Sequence, residues 1–171
     1  METGVKKTGM VSPTTTRVPG HTPEFMNRRI LDHSLESSIA HAADPARING
    51  RLAELDREWD IERVLEANAS SLVIIGILLG YFVTPWLYWL SLLVGIFLLQ
   101  HAIQGWCPPI RLFRRLGFRT HAEIATEYYA LRALRGDFTE LPTLEVAEPG
   151  LKGKQAFRIM SWPYMQEDEG N

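Results

Sequence analysis

The sequence predicts an all-α membrane protein: a two-span transmembrane helical hairpin flanked by cytoplasmic amphipathic helices and disordered termini. Three observations carry this. Two apolar runs, residues 72–83 and 86–99, lie back to back and meet at Thr84-Pro85. No Asp, Glu, Lys or Arg occurs between Glu66 and Arg111, roughly 44 residues, enough for two crossings at about 20 residues each. Arginines flank the block on both sides, Arg47, Arg51, Arg57 and Arg63 before it and Arg111, Arg114, Arg115 and Arg119 after it, while the turn has none. Positive residues stay inside, so both termini are expected in the cytoplasm. The alternative, a soluble protein with a buried helical pair, asks a small chain to hide an unusually long uncharged block.

The 171 residues carry a net charge of −2, and the mean hydropathy of −0.09 averages a greasy centre with two polar arms. Near-neutral charge and the lack of an aromatic–basic motif give no drive toward nucleic acid. The single cysteine, Cys107, excludes an intramolecular disulfide, and no Cys–His zinc spacing occurs. Residues 1–20 lack an apolar core, so no cleavable signal peptide is expected.

Residues 1–43 read as a polar, largely disordered arm. Thr22-Pro23-Glu24 resembles a helix start, and a short helix to about residue 43 would set Leu31, Leu35 and Ile39 on one face. Residues 44–66 read as one amphipathic helix opened by Asp44-Pro45. Ile48, Leu52, Leu55 and Trp59 share a stripe on it, but beyond Trp59 the apolar positions Ile61, Val64 and Leu65 change face. Residues 67–106 form the hairpin, with spans of about 67–83 and 86–106. Tyr81, Trp86, Tyr88 and Trp89 cluster at its turn, as aromatic residues do at a membrane surface. Pro108 and Pro109 stop the second span.

Residues 107–136 read as an interfacial elbow and a cytoplasmic helix. In the elbow Ile110, Phe113 and Leu116 recur every third residue, and Arg111, Arg114, Arg115 and Arg119 are expected to contact anionic lipid. Thr120 and Glu123 form a capping box for a helix to Arg135 with Ile124, Tyr128, Leu131 and Leu134 on its buried side. Glu123 and Glu127, one turn apart, could hold a cation but read better as a solvated helix start. Residues 137–171 read as an irregular tail with a short possible strand at 155–160.

Four small residues suggest close helix packing: Gly76 and Gly80 in the first span, Ser91 and Gly95 in the second. They could form a dimer seam or pack within one hairpin. Cys107 beside Arg111 is a candidate reactive thiol, although a helix C-terminus opposes thiolate formation. His101, with Gln100 and Gln104, ends the second span without a second ligand nearby. No phosphate-binding loop, hydrolase elbow or zincin helix occurs.

Residues 105–120, GWCPPIRLFRRLGFRT, follow the hairpin and resemble the YgaP-like transmembrane domain family, with Cys107-Pro108 and Leu116-Gly117 at the family's positions. The resemblance covers roughly residues 60–118. It implies a multi-pass protein of the bacterial inner membrane and a homodimer through the hairpins. In some relatives the domain anchors a sulfur-carrying rhodanese, whose loop needs arginine five positions after its cysteine. Here that position is Leu112, and the arms are too short for a rhodanese, so sulfur transfer does not carry over.

The expected function is non-enzymatic, a membrane-anchored scaffold or accessory subunit that needs no cofactor or metal. Its partners would be the lipid bilayer, a second copy of itself, or an unidentified membrane or cytoplasmic protein. Ile48, Leu52, Leu55, Trp59, Ile124, Tyr128 and Leu131 are the expected cytoplasmic contacts, unless they pack on one another. The alternative function is a redox or sulfur relay at Cys107.

Overall fold

A computed structural model describes residues 11–139; the tail beyond residue 139, with its possible strand, lies outside the described residues. Among these the chain is all helical: α1 (Glu24–His41), α2 (Pro45–Leu55), α3 (Ile61–Phe82), α4 (Tyr88–Gln104), α5 (Ile110–Leu116) and α6 (His121–Arg135), with short 3-10 turns at Pro19–His21 and Pro85–Leu87.

The segments Ile61–Phe82 and Pro85–Gln104 are each long and apolar enough to cross a membrane, and only 17% and 6% of their apolar windows are buried within the chain. A soluble core helix would hide such a surface. Exposed Ile74, Ile77, Leu78, Leu92, Ile96 and Leu99 instead suit hydrocarbon. The protein is an all-α membrane protein.

α3 and α4 pack antiparallel across a very short turn. A Cβ on Gly76 would meet Ser91, and one on Gly80 would lie 2.6 Å from the Tyr88 ring. Glycine at these two positions is what lets the backbones approach. The Ser91 hydroxyl donates to the Val73 carbonyl at 2.9 Å, crossing the same seam. Gly76, Gly80 and Ser91 are therefore used inside one chain. Gly95 is not: it is exposed, and a Cβ there would meet nothing.

The expected helix over residues 44–66 is two helices. α2 ends at Leu55, and α3 starts afresh at Ile61, where the Asp60 carboxylate accepts from the Arg63 amide at 2.8 Å. The switch of apolar face beyond Trp59 marks this break. Trp59 sits in it, 52% exposed, with the Arg63 guanidinium 5.8 Å from its ring. At the other start, the Asp44 side chain caps α2 through the Ala46 amide. Thr120 and Glu123 form the expected capping box on α6.

In the N-terminal arm, expected to be largely disordered, the described residues form the turn at Pro19–His21 and helix α1. Thr22 does not cap α1; its hydroxyl donates to the Val18 carbonyl and closes the preceding turn. α1 sets Leu31, Leu35 and Ile39 on one face, as expected; that face is exposed, while Ile30 and Ser34 are buried on the other. The reason is polar: Ser34 and Ser37 on the inner side donate or accept within a buried charge network.

Two apolar clusters build a cap of α1, α2, α5 and α6 on the spans. Val18, Ile61, Leu65, Cys107 and Ile110 form one, at the end of the spans away from the turn, with Trp106, Phe113 and Phe118 against it. Ile48, Leu52, Leu55, Ile124 and Leu131 form the other, between α2 and α6, with Tyr128 against it. In the elbow, Ile110 and Phe113 thus turn inward while Leu112 and Leu116 are exposed, so the outward apolar side differs from the expected one. On α6, Leu134 is exposed and Glu127 and Arg132 take the buried side with Ile124 and Leu131.

Candidate functional site

The densest concentration of chemistry-bearing side chains lies where the cap meets the start of α3. Glu127 is fully buried. It accepts from Arg51 Nε at 2.9 Å and from the Ser37 hydroxyl at 2.6 Å, and it pairs with Arg119. Arg119, also buried, donates through Nε to Glu58 at 2.7 Å and through a second nitrogen to Ser34 at 2.9 Å. Its own carbonyl accepts the Ile61 amide at 2.8 Å, which ties the network to the first residue of α3. Burial by itself pushes the Glu127 carboxyl up. The hydrogen bonds from Arg51, Ser37 and Arg119 outweigh it and hold the group at about 2.

A second buried pair stands beside it. Arg114 donates to both oxygens of Glu123, at 2.6 and 2.7 Å, to Asn27 Oδ1 at 2.8 Å and to the Phe118 carbonyl at 3.2 Å. Glu123 also accepts the Thr120 amide at 2.8 Å, so the capping box and the ion pair share one carboxylate. Of the four arginines expected at anionic lipid, Arg114 and Arg119 are thus buried in ion pairs, and only Arg111 and Arg115 are exposed. Glu123 and Glu127 are no solvated pair: each is bound by arginine.

Cys107 is 4% exposed and packed in the first apolar cluster. Burial pushes its thiol up, against a weaker opposing hydrogen bond from the Ile110 backbone. A buried thiol whose pKa is raised does not favour the thiolate expected of a reactive cysteine. Together with His101, Cys107 lines a mostly apolar groove of about 510 Å³ bounded by Leu72, Leu93, Phe97 and Leu112. His101 is 5% exposed, and neither ring nitrogen has a hydrogen-bond partner among the described residues. Among the described residues no three His, Cys, Asp or Glu side chains converge as a metal site would need.

The expected cytoplasmic contacts divide. Ile48, Leu52, Leu55, Ile124 and Leu131, with Tyr128 at their edge, are consumed by packing α2 on α6, and Trp59 is separate from them. Two features had no sequence signal strong enough to find them. One is the pairing of Ser37 with Glu127 on α6 and of Ser34 with Arg119 just before it. The other is Gly105, which ends α4 with a φ of 76° and would put a Cβ 2.6 Å from the Arg17 backbone. Arg17 there donates to the Ala102 carbonyl at 3.1 Å, strapping the N-terminal arm across the end of α4.

No curated protein and no solved structure matches the chain. A family model does, over the two spans, the elbow and the capping box of α6: residues 60–123 match "Inner membrane protein YgaP-like, transmembrane domain".

Proposed function

We propose that the chain is a non-enzymatic integral protein of the bacterial inner membrane, with both termini in the cytoplasm. It acts as a membrane-anchored scaffold or accessory subunit that self-associates or docks a protein partner. The observation that carries this reading is the outer stripe of α1, where Leu31, Leu35 and Ile39 are 62, 57 and 65% exposed on a helix whose inner face is already packed. A row of large apolar residues outside the spans supports a contact surface. The buried carboxylates of the cap are spent on arginines that hold helices together, which supports a structural rather than a chemical use.

The homodimer reading now rests on α4. Its outward face carries Leu92, Gly95, Ile96 and Leu99, and Gly95 offers the only unfilled small-residue position of the four expected. Cysteine crosslinking in native membranes tests both surfaces, with Gly95→Cys or Leu35→Cys in a Cys107→Ser background. A dimer band at Gly95 supports self-association through the spans, and one at Leu35 supports it through the cap. Bands at neither position overturn self-association and leave docking of a different protein. A relay at Cys107 is the weaker reading, because the thiol is buried and its pKa is pushed up.

A further inference from the structure

Between α1 and α5 lies a groove of about 440 Å³. Phe25, Met26 and Ile30 form an apolar wall, and Arg29, Arg114 and Arg115 surround it. No acidic residue lines it. Arg114 is engaged by Glu123 and Asn27, although its Nε is buried without a partner among the described residues. Arg29 and Arg115 differ: both are exposed, they come from helices far apart in the chain, and no carboxylate among the described residues pairs with either.

An apolar wall beside two uncompensated guanidinium groups matches an amphiphile with an anionic, oxygen-rich head. Guanidinium recognises phosphate through paired N–H donors, and such basic pockets near the cytoplasmic surface suit anionic lipid headgroups. The membrane supplies that ligand. α5 follows α4 after only residues 105–109, and the helix that carries Arg115 also exposes the apolar Leu112 and Leu116. We propose that the α1–α5 groove binds one anionic phospholipid, its phosphate between Arg29 and Arg115 and an acyl chain along Phe25, Met26 and Ile30. The site rests on the reading that α5 lies at the membrane surface. It uses the N-terminal arm, which the elbow arginines alone did not implicate.

The test is native mass spectrometry of the full chain in detergent, exposed to equal amounts of phosphatidylglycerol and phosphatidylethanolamine. One phosphatidylglycerol should be retained over phosphatidylethanolamine by roughly thirtyfold, the preference expected when two arginines meet a headgroup of net negative charge rather than a zwitterion whose ammonium offsets its phosphate. Arg29→Gln with Arg115→Gln should abolish the preference, whereas Arg111→Gln, outside the groove, should not. Dihexanoyl phosphatidylglycerol should compete and inorganic phosphate should not. Equal retention of the two lipids overturns the site, as does an unchanged preference in the double variant. Displacement by inorganic phosphate alone overturns the role of the apolar wall. Carbonate extraction of native membranes reads insertion separately: a protein that washes out overturns the membrane reading itself, whatever the lipid result.

Discussion

Glu127 is the residue on which the cap depends. It joins α6 to α1 through Ser37, to α2 through Arg51, and to the start of α3 through Arg119. Removing one partner of a buried ion pair leaves the others uncompensated, which typically costs about 3 to 5 kcal/mol. Glu127→Gln should fall near the lower end, because Arg51 keeps Glu54 and Arg119 keeps Glu58. Hydrogen exchange should show α6 and α2 opening in this variant while α3 and α4 stay protected. The same residue sets an acid limit. Its folded pKa, about 2, lies below the ordinary carboxylate value, so its stabilisation is complete above about pH 4.5 and is lost as pH falls toward 2. Thermal unfolding of the cap should therefore be flat in pH above that value and fall below it, and Glu127→Gln should flatten the acid limb. None of this was legible at residue scale. Glu123 and Glu127 share a helix start at one-turn spacing, and Arg114 and Arg119 share an elbow. Arg114 and Arg119 reach Glu123 and Glu127 only nine and eight positions on, but further partners lie far along the chain, 76 residues away for Arg51 with Glu127 and 61 for Arg119 with Glu58.

At the scale of elements, local signals were read well and faces were read poorly. The capping box of α6, the Asp44 cap of α2 and the glycine end of α6 all formed where the sequence set them, because each depends on residues within one turn. The break between α2 and α3 was visible as a change of apolar face, but a change of environment and a change of helix give the same periodicity. On α1 the shared face of Leu31, Leu35 and Ile39 forms as expected, but it turns outward while Ile30 and Ser34 turn inward, a choice that hydrophobic pattern alone cannot reveal. The two glycine pairs now make opposite predictions. Gly76→Leu should drive α3 and α4 apart and abolish disulfide formation between Val73→Cys and Ser91→Cys in a Cys107→Ser background. Gly95→Leu should leave that bond intact and weaken only a contact between copies. At the break, Trp59→Asp should change neither insertion nor assembly, measured by carbonate extraction and crosslinking, because the indole is half exposed and outside both apolar clusters.

For the whole molecule, two apolar spans carry a helical cap that is fastened to their ends away from the turn by Arg17, Ile61 and Arg119. If both ends of the chain are cytoplasmic, impermeant thiol reagent applied to intact cells should label Trp86→Cys at the turn, in a Cys107→Ser background. It should not label Ala42→Cys in the cap until the membrane is opened, and the reverse pattern would invert the protein. The sequence by itself determined the two spans, their flanking arginines, the tight turn and the helix caps. Each of these is set by composition over about 20 residues or by spacing within one turn, and neither needs a distant partner. Only the tertiary structure decided which arginines face lipid and which are buried against carboxylates, which glycines close the span pair, and which side of α1 is free. Those outcomes depend on how separate helices meet, from 8 positions apart for Arg119 with Glu127 to 90 for Ser37 with Glu127, and identical side chains at similar local spacing take opposite roles according to what folds against them.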